Sequence, residues 1–148
     1  MDFTHPIITK SAQETANVGR DLALYLIGRG DVPRLLCLHG NLGAGKTTFT
    51  QGFARGLGIT SRLLSPTFII VRRYDIPGEE NQLYHIDLYR LNTPGQMDEL
   101  GLEEIFSDPS AYVIIEWAER LKELPKKRID IWFKVIDDET HEITIKNI

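Results

Sequence analysis

Residues 39–49, HGNLGAGKTTF, combine three glycines with a lysine and two threonines. The stretch fills the pattern G-x-x-x-x-G-K-[ST], a loop whose backbone N–H groups surround a phosphate chain. Glycines keep the concave side of such a loop free of side chains and readily adopt positive φ angles. Lys46 is expected to reach the β- and γ-phosphates, and the Thr47 hydroxyl is expected to bind Mg²⁺. The sequence therefore predicts a P-loop that binds a nucleoside triphosphate.

A P-loop needs a second, acidic group to position Mg²⁺, normally at the end of a buried strand. Residues 112–116, YVIIE, place Glu116 at the carboxyl end of an apolar run. This is the side on which open α/β sheets bind their ligands. The alternative is a surface glutamate at a strand end. We favour the metal-binding interpretation.

A second carboxylate, Asp87, lies within YHIDLYR, residues 84–90. Aspartate is depleted in the middle of strands, so we expect this side chain to face a polar cavity, opposite the side chains of Ile86 and Leu88. Orienting the attacking water or a Mg²⁺-bound water is one possible role, and a salt bridge to an arginine such as Arg90 is the alternative. A functional use is favoured, with its exact role open.

Two further candidates flank these motifs. Thr67, in SPTF at residues 65–68, follows the P-loop helix, where many P-loop switches keep a threonine that senses the γ-phosphate. A simple turn with a hydroxyl cap has the same local sequence. Trp117 follows Glu116 and would either pack in the core or stack near the nucleotide.

The surrounding elements must position these groups. Residues 35–39, LLCLH, predict a buried parallel strand, and the spacing of Phe49, Phe53 and Leu57 predicts a helix packed on it. Residues 11–14, SAQE, predict a capping box that opens an earlier helix. The other predicted elements are a hairpin of residues 65–75 and 82–91, short helices broken at 101, a buried strand at 111–117, a short helix at 118–124, and a closing hairpin around DDET at 137–140.

Length and composition limit the number of domains, the cellular location and the role of the cysteine. A chain of 148 residues predicts a single domain, residues 1–148. The alternation of predicted strands and helices around the P-loop predicts an α/β fold with a mixed sheet. No apolar run approaches the roughly 20 residues that span a bilayer, and the N-terminus lacks a signal-peptide core, so a cytoplasmic location and no membrane association are expected. The only cysteine, Cys37, is expected to be a buried thiol.

The charge distribution argues against direct binding of nucleic acid. The net charge is −4, whereas a protein that grips RNA usually shows a basic face. The basic clusters at residues 72–73 and 126–128 are interpreted as solvated surface. We therefore expect any RNA to be reached through a partner.

Together these motifs resemble the TsaE family, small bacterial P-loop ATPases of tRNA modification. The resemblance rests on HGNLGAGKTTF, SPTF, YHIDLYR and IIEWAER in this order, and it runs from about Ser11 to Arg120. It implies a single P-loop ATPase domain with the three-layer α/β fold of P-loop NTPases and a mixed, partly antiparallel sheet. It also implies a role in forming threonylcarbamoyladenosine next to the anticodon, in which the TsaD–TsaB pair performs the transfer. The family member binds and hydrolyses ATP with Mg²⁺ and resets that complex, and it reaches tRNA only indirectly.

The resemblance also implies roles by position. The implied catalytic residues are Lys46, Asp87 and Glu116, and the implied Mg²⁺ ligands are Thr47 and Glu116. Asn41 departs from the family, which usually has an acidic residue there. The implied nucleotide-binding residues are Ser11, Gly43, Ala44, Gly45, Lys46, Thr47, Thr48, Thr67 and Trp117.

The main alternative is a small-metabolite P-loop kinase. Such an enzyme usually closes a mobile, arginine-rich lid to exclude water during transfer. Here the segment after HIDLYR is acidic, MDELGLEEIF at residues 97–106. A signalling GTPase is disfavoured because no N-K-x-D run is present. An ATP-driven accessory protein with slow turnover on its own is therefore favoured.

Overall fold

The computed structural model describes residues 2–61, 63, 71–89 and 101–148. Within these ranges the helices are α1 (Ala12–Leu26), α2 (Lys46–Gly56), α3 (Leu102–Ser107) and a 3-10 turn (Ala118–Arg120). The strands are β1 (Ile7–Thr9), β2 (Leu35–His39), β3 (Val71–Asp75), β4 (Gln82–Asp87), β5 (Tyr112–Glu116), β6 (Ile129–Val135) and β7 (His141–Lys146).

All seven strands form one sheet in the order β1-β7-β6-β2-β5-β4-β3. The central strands β4, β5, β2 and β6 are parallel, whereas β3 at one edge and β7 and β1 at the other pair antiparallel with their neighbours. The predicted mixed, partly antiparallel sheet and the closing hairpin are confirmed. The first hairpin is confirmed for β3 and β4, and residues 65–70 and 90–91 of that prediction lie outside the described residues. Because β2, β4 and β5 run parallel, their carboxyl ends reach the same edge of the sheet.

The two faces of the sheet are covered by different helices. Leu36 and Leu38 of β2 belong to the core beneath α1 and α2. The alternate residues Leu35 and Cys37 belong to a second core, beneath α3 and the 3-10 turn. The α/β fold therefore has three layers, as predicted. Burial raises the pKa of the Cys37 thiol to about 12, so this cysteine is an inert core residue, also as predicted.

Helices α1 and α2 pack so closely that their contact requires glycine. A Cβ atom at Gly52 would lie 1.8 Å from the carbonyl oxygen of Ala16, and one at Gly19 would lie 2.2 Å from that of Phe49. The predicted capping box at the start of α1 forms in part. The Ser11 hydroxyl accepts a hydrogen bond from the Glu14 N–H, but the Glu14 carboxylate accepts from the Lys10 N–H and not from that of Ser11. The P-loop helix α2 is therefore held against a well-capped neighbour.

Three sequence expectations need correction. The helix predicted at 118–124 is a single 3-10 turn, because the chain turns extended at Leu121 and buries that side chain. Asp87 is the last residue of β4 and not a mid-strand residue. Arg128 is not part of a solvated basic face, because its Nε donates to the buried carboxylate of Asp130.

Residues 64–70 and 90–100 lie outside the described part of the chain, and with them Thr67 and Arg90. None of the helices in the described residues has the length and apolar character that crossing a bilayer requires.

Candidate nucleotide-binding site

The P-loop connects β2 to α2 through three glycines with positive φ. The φ angles are 149° at Gly40, 79° at Gly43 and 104° at Gly45, a range that other residues rarely adopt. A Cβ atom at Gly40 would also lie 2.7 Å from the carbonyl oxygen of Phe133. The predicted need for glycine in this loop is therefore confirmed.

Lys46, the first residue of α2, is buried. Its Nζ donates to the Gly40 carbonyl oxygen at 2.7 Å and lies 4.3 Å from the centroid of the Trp117 ring. In the described ranges no carboxylate lies within ion-pair distance of this ammonium. Among the described residues, this buried cation has only a carbonyl and a ring face for partners, so it is well placed to bind an anion. The N-terminus of α2 adds its own positive potential.

A cavity of about 580 Å³ opens beside the P-loop. It brings residues from the start of α1 and the end of β5 together with the loop, although they are far apart in sequence. The predicted residues that line it are Ser11, Gly43, Gly45, Lys46, Thr47, Thr48 and Glu116.

Other predicted residues lie outside this lining. Ala44 is buried in the core. The ring of Trp117 lies over the Lys46 ammonium, and its backbone has a positive φ of 60°. The Asp87 carboxylate lies on the strand next to Glu116, in register with it. Thr67 lies outside the described residues.

The β6–β7 hairpin supplies cavity residues that sequence analysis missed. Asp138, Glu139 and His141 line the cavity, as does Lys10 from the start of the chain. The His141 ring lies beside the P-loop, 3.2 Å from where a Cβ on Gly45 would be. The motifs end near residue 120, so no sequence pattern connected this hairpin to the P-loop.

Glu116 is buried and paired with a histidine. Its Oε2 accepts a hydrogen bond from Nε2 of His85 at 2.7 Å, and the two side chains are only 7% and 2% exposed. The alternative of a surface glutamate is therefore wrong. The alternation of side chains along a strand puts His85 on the same face of β4 as Asp87. Sequence analysis assigned His85 no role, because the strand that pairs with β4 was unknown.

Asp87 is half-buried, and its Oδ1 accepts a hydrogen bond from the Tyr89 N–H at 2.9 Å. Burial raises the pKa of the Asp87 carboxyl, and the negative charge of Glu116 raises it further. The Tyr89 hydrogen bond and the positive charge of Lys46 act in the opposite direction. A carboxyl with a raised pKa near a phosphate-binding loop is suited to proton transfer or to orienting water.

Comparison with known proteins is consistent with this geometry. The model of the family described as threonylcarbamoyl adenosine biosynthesis protein TsaE matches residues 9–143. The tRNA threonylcarbamoyladenosine biosynthesis protein TsaE of Bacillus subtilis is 41% identical over 140 residues, which cover 92% of this chain and 81% of the relative. The protein of the same name from Treponema pallidum is 37% identical, with 93% and 97% covered.

A solved structure has the same fold. The crystal structure of YdiB from Bacillus subtilis matches with a TM-score of 0.73 and 36% sequence identity, covering 95% of this chain and 83% of YdiB. At this identity and coverage the likeness extends beyond the fold. The chain therefore belongs to the TsaE family of tRNA threonylcarbamoyladenosine biosynthesis proteins.

Proposed function

We propose that this chain is a Mg²⁺-dependent ATPase that acts as an accessory to the TsaD–TsaB transferase pair in threonylcarbamoyladenosine formation. The observation that supports this most directly is the cavity at the P-loop, where a buried ammonium and a buried carboxylate line the same space. In this proposal ATP hydrolysis resets the partner complex. The chain acts in the cytoplasm as one domain and reaches tRNA only through its partners.

The phosphate-binding part of the proposal rests on the loop and on Lys46. The Nζ of Lys46 is held near the loop by the Gly40 carbonyl oxygen, so little side-chain entropy is lost when it binds a phosphate. Trp117 covers the ammonium and shields it from water. Thr48 and Ser11 line the same cavity and complete the proposed nucleotide contacts, with Thr67 as the proposed threonine of a switch.

The residues of the site fit Mg²⁺. The described residues contain no cluster of three or more histidine, cysteine or acidic side chains that could hold a metal. Mg²⁺ does not require such a cluster, because it is usually bound by one or two protein oxygens with phosphates and waters. Glu116 and Thr47 would supply those oxygens, since both line the cavity. When bound, Mg²⁺ neutralises charge on the β- and γ-phosphate oxygens.

The proposed catalytic task of Asp87 is to orient the attacking water. Asp87 lies on the strand next to that of Glu116. Its pKa is raised toward the range in which a carboxylate is an effective general base at neutral pH. Hydrolysis by the chain alone is expected to be slow, because the partners complete the site or trigger turnover.

The test is steady-state ATP turnover by the chain alone and with the TsaD–TsaB pair. Slow turnover that rises with the pair is the expected result. Lys46→Ala should abolish nucleotide binding, whereas the control Lys122→Ala, at an exposed lysine, should leave it unchanged. ATP turnover that is unchanged by the TsaD–TsaB pair but is increased by a small hydroxylated metabolite would identify a kinase. That result would overturn the proposal.

A further inference from the structure

We propose that His85 is the positioning residue for Glu116. Its Nε2–H holds one carboxylate oxygen and leaves the other directed to a metal ion in the cavity. This inference rests on the proposed function, in which Glu116 is a Mg²⁺ ligand. His85 itself touches neither metal nor nucleotide in this scheme.

The sheet register places the two side chains in contact. His85 on β4 lies opposite Ile114 on β5, two residues before Glu116, and Asp87 lies opposite Glu116 itself. His85 and Asp87 are two residues apart on β4, and Ile114 and Glu116 are two residues apart on β5. Because residues two apart, and residues in register on the neighbouring strand, point to the same side of a sheet, these four side chains project from one face. The imidazole thus extends along the sheet toward its carboxyl edge, where its Nε2 lies 2.7 Å from Glu116 Oε2.

The direction of the hydrogen bond follows from the chemistry of the pair. An ionised carboxylate only accepts hydrogen bonds, so the proton between the two atoms belongs to Nε2 of His85. At 2.7 Å and almost fully buried, this is a strong, charge-assisted bond. It fixes Oε2 and with it the plane of the carboxylate.

The remaining oxygen of Glu116 is available to a ligand. In the part of the chain that the structure describes, no donor is bonded to Glu116 Oε1, and Glu116 lines the cavity beside Thr47. The sole side-chain hydrogen bond of His85 within the same ranges goes to Glu116. If position 85 served packing alone, an apolar residue there would fill the space without the free-energy cost of burying an imidazole. Residues that orient a metal ligand in this way commonly contribute about 10–100-fold in metal affinity.

The experiment measures metal affinity instead of turnover. Mn²⁺ is titrated into the chain complexed with a non-hydrolysable ATP analogue and followed by electron paramagnetic resonance. His85→Leu, which keeps the volume and removes the donor, should weaken Mn²⁺ binding roughly 10–100-fold and leave analogue affinity in EDTA unchanged. His85→Gln, whose amide nitrogen occupies the place of Nε2, should restore most of the affinity.

A double-mutant cycle separates positioning from structure. In a Glu116→Gln background, His85→Leu should have no further effect on Mn²⁺ affinity, because its action passes through the carboxylate. If His85→Leu does not fold, His85→Asn replaces it, since the shorter amide does not reach Glu116 and should lose affinity that His85→Gln retains.

The outcomes distinguish this inference from the proposed function. Unchanged Mn²⁺ affinity in His85→Leu, or an equal loss in both Glu116 backgrounds, would overturn the positioning role and leave the ATPase proposal standing. Failure of the unmodified chain to bind Mn²⁺ with the analogue would instead overturn the proposed function.

Discussion

In the described residues, two histidine–carboxylate pairs link neighbouring parallel strands of this protein. His85 and Glu116 join β4 to β5 at 2.7 Å, and His39 and Asp130 join β2 to β6 at 2.8 Å. Their distances are nearly the same. The side chains of His85 and Glu116 are 2% and 7% exposed, and those of His39 and Asp130 are slightly more exposed, at 11% and 9%. Their surroundings differ, and the difference separates a candidate ligand from a structural group.

Both oxygens of the Asp130 carboxylate accept hydrogen bonds from side chains of the same protein. Oδ1 accepts from His39 Nε2 and from Arg128 Nε, and Oδ2 accepts from Asn147 Nδ2 at 2.8 Å. The ring of Trp132 stacks on His39 with centroids 4.1 Å apart. Both oxygens of Asp130 already have side-chain donors, so we interpret its contribution as one to stability.

Among the described residues, Glu116 has one side-chain donor, and a cavity lies beside it. A buried carboxylate in this state has much to gain from a cation, because a single hydrogen bond does not replace full hydration. Counting the donors around each oxygen therefore distinguishes the two pairs, whereas their hydrogen-bond distances do not. The following predictions test this distinction.

The largest expected effect is on turnover in Glu116→Gln. Removing the charge at the proposed metal ligand should lower partner-stimulated ATP turnover by roughly 100-fold, the size typical of losing one group that stabilises transition-state charge. Steady-state phosphate release measures this, with nucleotide binding retained. Glu119→Gln, an exposed neighbour, is the matched control. Full activity in Glu116→Gln would remove this residue from the mechanism.

The next effect concerns stability and should appear in Asp130→Ala. Three donors lose their acceptor in a buried setting, so the free energy of unfolding should fall by about 1–3 kcal/mol. Urea denaturation measures the loss, and Asp31→Ala at an exposed site is the control. Nucleotide affinity of the folded variant should be unchanged. If the free energy of nucleotide binding fell by more than the free energy of unfolding, the structural role of the His39–Asp130 pair would be contradicted.

A smaller effect is expected in Trp132→Ala. The ring is half-exposed and covers His39, so its removal should reduce the free energy of unfolding by about 0.5–1.5 kcal/mol. Combined with Asp130→Ala, the loss should be less than additive because both changes act on one cluster. Val135→Ala, on the same strand and similarly exposed, is the comparison. Strict additivity would show that the stack and the ion pair are independent.

The smallest effect concerns Asp87 and depends on pH. Burial raises the pKa of this carboxyl above its ordinary 3.8, so the folded chain binds the proton more tightly than the unfolded chain does. The ionised carboxylate therefore lowers stability above the raised pKa, and this penalty disappears as the pH falls below the ordinary value. Asp87→Asn should raise the free energy of unfolding at pH 7 by less than about 1 kcal/mol, since the group is half-exposed.

Urea denaturation at pH 7 and near pH 4 measures the Asp87 effect, and the gain should shrink at the lower pH. Asp137→Asn is the control, and it should lower the free energy of unfolding at pH 7 where Asp87→Asn raises it. The reason is that hydrogen bonds from Glu139 and Thr140 lower the pKa of Asp137. A gain that is the same at both pH values would mean that the Asp87 charge is not its source.

Much of the site was predictable where the signal is local. The P-loop, the capping box at Ser11 and the closing hairpin depend on residues a few positions apart, whose conformations follow from glycine, capping hydroxyls and alternating patterns. The strand ending in Glu116 was predictable for the same reason. The 3-10 turn at Ala118 was not, because burial of Leu121 overrode the helical pattern.

The sequence by itself determined which residues can wrap and charge-balance a phosphate chain, since that chemistry is contained in one continuous loop. Only the tertiary structure decided which histidine meets which carboxylate, because the partners are 31 and 91 residues apart. The same holds for the close approach of Gly52 to Ala16 and for the hairpin of Asp138 and His141 at the cavity wall. Such contacts depend on strand order and register, which are set by packing of the whole sheet and not by any local pattern.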